Sequence, residues 1–153
     1  MKTDGSVDYE IHRVDGLTRE NSNDCVAIEE PLEIVIRYFK DNDWVIEPLM
    51  VTMRTPGDDE DLVRGLLFSE GIIQDKSAIG SIEVSGSNKS KYDVDNSLIV
   101  NLSKGNQLDL KNLQRHFMVN SSCGVCGKGT LNAIEIAYEP KINREGPIVN
   151  ISL

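Results

Sequence analysis

Aromatic residues, histidine and cysteine are all scarce in this chain. One Trp, four Tyr and three Phe amount to 5% of it, beside two His and three Cys. An odd and small number of cysteines, two of them in a Cys-x-x-Cys, fits a reducing compartment better than a disulfide-stapled fold. With one His near the cysteine pair and no second pair, a four-ligand zinc site cannot be completed within one chain. Basic charge is also in deficit, 16 Lys and Arg against 25 Asp and Glu, for a net charge of -9. That balance argues against nucleic acid as a partner, because such binding rests on a basic face. No apolar run approaches the roughly 18 residues that cross a bilayer, and Met1-Lys2-Thr3-Asp4-Gly5 lacks the apolar centre of a signal peptide, so a cytoplasmic location is expected. No membrane partner is expected. Repeats and low-complexity segments are missing too.

What is present is a globular composition, 39% hydrophobic and 27% charged over 153 residues, enough for one domain with a real core. Residues 1–24 are polar and acidic with little periodicity and read as a flexible tail or a loosely held extended arm. His12 within it has no second ligand and reads as solvated. Order is expected from Cys25, which reads as a small packed apolar group. Pro31–Phe39 alternates as a strand, Lys40–Asp43 turns, and Trp44–Met53 returns as a second strand whose Pro48 favours an edge or a bulge. Met50 and Met53 read as core. Arg54-Thr55-Pro56-Gly57 ends that strand, and the carboxylates Asp58 to Asp61 announce a helix, with Thr55 or Asp58 as cap. Leu62, Val63, Leu66, Leu67 and Ile73 form its expected buried stripe, closed by Gly71. The acidic run is better explained by the helix dipole than by a metal, since adjacent carboxylates diverge around a helix. Ile79–Val84 and Ser97–Leu102 read as a hairpin with a long tip, Leu108–Arg115 as a helical turn, Leu131–Ile134 as a short helix, and Ile136–Tyr138 as a strand. The fold class expected is α+β: a small mixed or antiparallel sheet, one main helix and a mobile loop. The apolar close at 147–153 reads as a chain cut short.

The stretch that invites chemistry is Ser121-Ser122-Cys123-Gly124-Val125-Cys126-Gly127-Lys128-Gly129-Thr130. A thiolate is the reactive form of cysteine, and a neighbouring Lys or a helix N-terminus lowers the thiol pKa from its usual value. Lys128 supplies the cation, and the glycines allow movement or close approach of another backbone. The spacing fits a persulfide relay, a dithiol–disulfide couple or half of a shared zinc site. An inert turn is the bland alternative. His116 lies seven residues from Cys123 and reads as uninvolved.

Four ordered blocks then narrow the choice: Glu29-Glu30-Pro31-Leu32-Glu33-Ile34, Met53-Arg54-Thr55-Pro56-Gly57-Asp58-Asp59, Ser69-Glu70-Gly71-Ile72-Ile73, and Ser121 to Lys128. Together, across about residues 28–135, they resemble the formate dehydrogenase accessory proteins, the FdhD sulfur carriers. The resemblance implies a sulfurtransferase that takes persulfide sulfur from a cysteine desulfurase. It delivers that sulfur to the molybdenum (or tungsten) bis-pterin guanine dinucleotide cofactor, a client and not a resident group, for formate dehydrogenase. By position, Cys123 carries the persulfide and Cys126 assists. Expected partners are the desulfurase and formate dehydrogenase, with a homodimer left open. A non-enzymatic adaptor or zinc-binding docking module is the alternative function. Family members continue into a cytidine-deaminase-like second half with a segment Asp-Val-Gly-Arg-His-Asn, which this sequence does not contain. The chain is therefore expected to be a fragment or a short form, residues 25–153 forming the N-terminal domain with its loop at 121–130, and cofactor binding is expected mainly in that second half.

Overall fold

The strongest alternation in the chain builds its central strand. In a computed structural model that describes residues 5–16, 18–86, 90, 92–105 and 131, strand β3 (Glu30–Lys40) points Leu32, Ile34, Ile36 and Tyr38 into the core. Glu33, Val35, Arg37 and Phe39 occupy its other face, half-buried. Asp41 and Asn42, with φ of 48° and 70°, make the two-residue turn that the twist of a hairpin favours. Strand β4 (Asp43–Arg54) returns antiparallel. Ile34 faces Met50 while Val35 faces Pro48, so Leu49 is the extra residue of a bulge. The strand is also the outermost of its sheet. Edge and bulge, the two places where a proline's missing N–H does least harm, thus coincide at Pro48.

After β4 the chain forms α1 (Asp59–Ser69), a short 3-10 turn at Lys76–Ala78, β5 (Ile79–Val84) and β6 (Ser97–Leu102). Four strands form one mixed sheet in the order β4-β3-β6-β5. Its β6 runs parallel to β3 and antiparallel to β5, which agrees with the α+β expectation. Val63 and Leu67 of α1 join Leu32, Ile34, Ile36, Leu98, Val100 and Leu102 in one core cluster. Each fully buried aliphatic side chain there contributes about 1.5–3 kcal/mol.

The expected helix stripe needs one correction. Leu62 is 40% exposed, because Val63 and Leu67, four residues apart, define the inward line and Leu62 falls beside it in the first turn. Leu66 packs at the core margin and Ile73 is buried. Asp58 is the N-cap residue, yet neither it nor Thr55 provides a side-chain cap hydrogen bond. The helix ends as expected on Gly71, at φ 69°. Ile72 N–H donates to Leu67 O at 2.9 Å and Gly71 N–H to Phe68 O at 3.0 Å, the paired bonds of a Schellman close.

The polar stretch expected as a tail or arm over 1–24 is extended but also paired. Strand β1 (Ser6–Asp15) and β2 (Thr18–Ala27) form a two-stranded antiparallel sheet of their own. Backbone pairing, not an apolar face, makes these strands, and most of their side chains are exposed. Cys25 shares that setting, opposite Asp8. It is exposed rather than packed as a small apolar group. His12 is exposed as expected and its Nδ1 meets Asn21 Oδ1 at 2.7 Å. The hairpin is rooted at Gly5, whose φ is 65°; Ile28 N–H donates to Gly5 O at 2.8 Å. A Cβ at Gly5 would sit 2.7 Å from Thr55 Cγ2, so the hairpin base lies against the turn before α1. Met50 is buried and Met53 half-buried. No helix among the described residues is long and apolar enough to cross a membrane.

Candidate functional site

At the end of β4, where the chain turns toward α1, Arg54 is only 7% exposed. A buried guanidinium is tolerable only when its donors are satisfied. Its Nε and Nη2 make a fork to Asp59 Oδ1 and Oδ2, both at 3.0 Å. Nη1 donates to Asn96 Oδ1 at 3.0 Å and Nη2 to Asp95 O at 2.8 Å. One side chain therefore ties the end of β4, the first residue of α1 and the entry to β6. Planar, bidentate pairing of this kind suits Arg and not Lys. Asn96, itself buried, passes the connection on through its Nδ2 to Glu30 Oε2 at 3.1 Å.

The next link reaches the neighbourhood of the cysteine pair. Asn96 O accepts from Glu33 N–H at 2.8 Å. The Glu33 carboxylate, on the half-buried face of β3, accepts from Ser97 Oγ at 3.2 Å and from the backbone N–H of Leu131 at 3.2 Å. Leu131 is 9% exposed and follows Cys126 by five residues. Covalent reach alone then keeps the two Cα atoms within about 18 Å. The described part of the molecule thus holds one end of the chain segment that carries both thiols.

The sequence-predicted site residues Cys123 and Cys126, with Lys128 and His116, lie outside the described residues. So do the helical turn expected at 108–115, the strand at 136–138, the rest of the short helix after Leu131, and the apolar close at 147–153. The sequence reading missed Arg54 and Glu33 as a connected pair of anchors. Arg54 carries one local signal, a carboxylate five residues on across a strand-to-helix turn. Glu33 carries none, because its acceptor role spans 98 residues of sequence.

Elsewhere on the half-buried face, Phe39 and Trp44 meet edge to face at 5.4 Å, with Arg37 4.9 Å above the Trp44 ring and Lys104 4.6 Å above Phe39. These cations already stack on the rings and so stabilise the sheet end. Near the close of α1, a polar recess of about 420 Å³ is bordered by Ile73, Asp75, Ser77, Ser103 and Lys104. Asp75 caps the 3-10 turn there, accepting from Ser77 N–H at 2.8 Å. Among the described residues, no three His, Cys, Asp or Glu side chains converge as a metal site.

No solved structure matches the chain. The family model described as the FdhD/NarQ family matches residues 27–149, a range that includes Glu33, Arg54, both cysteines of the pair and Leu131. The chain is 40% identical over 125 residues to the sulfur carrier protein FdhD of Thermoplasma volcanium, covering 81% of this chain and 42% of that protein. With its counterpart in Sulfolobus acidocaldarius it shares 36% over 126 residues, 82% of this chain and 42% of the relative. With that of Saccharolobus solfataricus it shares 35% over 139 residues, 90% and 47%. The chain spans less than half the length of these relatives. With the matched range running from the root of β3 to beyond the cysteine pair, the chain belongs to the FdhD/NarQ family.

Proposed function

We propose that this chain is a sulfur carrier acting in formate dehydrogenase maturation, with Cys123 as the sulfur-bearing residue and Cys126 as its assistant. The observation that carries this reading is the family match across the cysteine pair, together with curated relatives whose name is sulfur carrier protein. The chemistry of the loop supports it. In the first step the Cys123 thiolate attacks the outer sulfur of a persulfide on a cysteine desulfurase. The S–S bond to the donor breaks, the donor cysteine leaves as a thiolate, and Cys123 now bears the persulfide. In the second, the Cys126 thiolate attacks Cys123 Sγ, expelling hydrosulfide toward the molybdenum or tungsten bis-pterin cofactor as client. The resulting Cys123–Cys126 disulfide is returned to two thiols by a thiol reductant. Lys128 is suited to favour the thiolate at neutral pH. A cytoplasmic, reducing setting keeps the pair available for another round.

Incubation with a cysteine desulfurase and radiolabelled cysteine tests this. Label retained by the chain, absent from Cys123→Ala and released by reductant is the expected result. An unlabelled chain carrying stoichiometric zinc would replace the reading with that of a docking module.

A further inference from the structure

We propose that Glu33 is a positioning residue for sulfur transfer: its carboxylate anchors the backbone at Leu131, five residues beyond Cys126. The proposal rests on the sulfur-carrier reading for its consequence and on geometry alone for the anchor itself. Three features single out this carboxylate. It is the acceptor for a backbone N–H 98 residues away, at 3.2 Å, and the donor, Leu131, is buried. Its second oxygen is held by Ser97 Oγ at 3.2 Å and its own N–H by Asn96 O at 2.8 Å, so the acceptor is aimed from both sides. The strand that carries it is central in the sheet and keeps its neighbours buried on the opposite face. The central strand is therefore coupled to a backbone position five residues beyond Cys126, and group transfer is fast only where the reacting atoms are held in a productive geometry.

Glu33→Met and Glu33→Gln separate anchoring from packing. Met keeps the length of the side chain and has no oxygen acceptor, whereas Gln keeps an acceptor for Leu131 N–H and can donate to Ser97 Oγ. In Glu33→Met, hydrogen exchange at the Leu131 amide is expected to rise by about tenfold or more, and the rate of persulfide loading from a desulfurase to fall about fivefold or more, with cooperative unfolding of the core kept and its thermal midpoint lowered by the loss of an acceptor for two buried donors. Glu33→Gln is expected to restore both rates to within about twofold. Unchanged exchange in Glu33→Met would overturn the anchor. Raised exchange with unchanged loading would overturn its role in transfer, as would Glu33→Gln behaving like Met in both measurements. If the unaltered chain accepts no persulfide at all, the sulfur-carrier reading fails instead, and the anchor is then judged by Leu131 exchange and by the alkylation rate of Cys126 in the same variants. If Met unfolds the chain, exchange and loading in Glu33→Gln still decide: loss of both would overturn the proposal, and retention with normal alkylation would support it.

Discussion

Arg54 shows how much a single residue organises. Its guanidinium reaches Asp59, Asn96 and Asp95 from one position on β4, and the Asp59 carboxylate is bound through both oxygens. Deleting the cation would leave Asp59, whose side chain is only 21% exposed, and the Asn96 and Asp95 oxygens without a partner. Arg54→Met is therefore expected to lower unfolding free energy by about 3 kcal/mol, the usual result of removing one member of a buried pair. Arg54→Lys should lose most of the same amount, because an ammonium cannot span the fork. Urea unfolding of the three proteins measures both. The consequence for function runs through Asn96, which also holds the backbone of Glu33. The contrast with Arg64 is instructive: its contact to Glu60 at 3.3 Å is a surface i,i+4 pair and contributes little.

Elements differ in how openly the sequence declares them. The alternation of Leu32, Ile34 and Ile36, the turn at Asp41 and Asn42, the edge or bulge at Pro48 and the close of α1 at Gly71 all follow from local chemistry and are legible in the sequence. The β1–β2 hairpin is not, because its strands pair through backbone hydrogen bonds and carry no apolar stripe to reveal a period. Leu62 departs from the expected stripe for a different reason: a helix face is set by what the sheet offers, which a helical wheel does not contain. Anchors across long separations, such as Glu33 with Leu131, have no local signature whatever. The 3-10 turn at Lys76–Ala78 offers a test at this scale. Asp75 is held below the usual carboxylate range by the Ser77 hydroxyl first and the Ser77 N–H second, with desolvation opposing. A depressed folded-state pKa adds stability above the unfolded pKa and loses it as pH falls through the folded one. Thermal unfolding should therefore show Asp75→Asn less stable than the unaltered chain at neutral pH, with the gap closing in acid below the ordinary carboxylate range. A gap that persists there would assign the effect to hydrogen-bond geometry instead of charge.

At the scale of the molecule, the described residues form a mixed sheet covered by α1, and its strand β3 reaches Leu131, beyond the thiols in sequence. Among the described residues, aliphatic burial and the Arg54 guanidinium hold the sheet together; the cysteine pair lies in a short run rich in glycine and serine. Sulfur residence on Cys123 is the central claim, and it is most directly tested by peptide mass spectrometry of the chain after treatment with a desulfurase and cysteine. The expected spectrum shows a gain of about 32 Da on the peptide at Cys123, abolished by reductant. A donor that is itself persulfidated beside an unmodified Cys123 would contradict it.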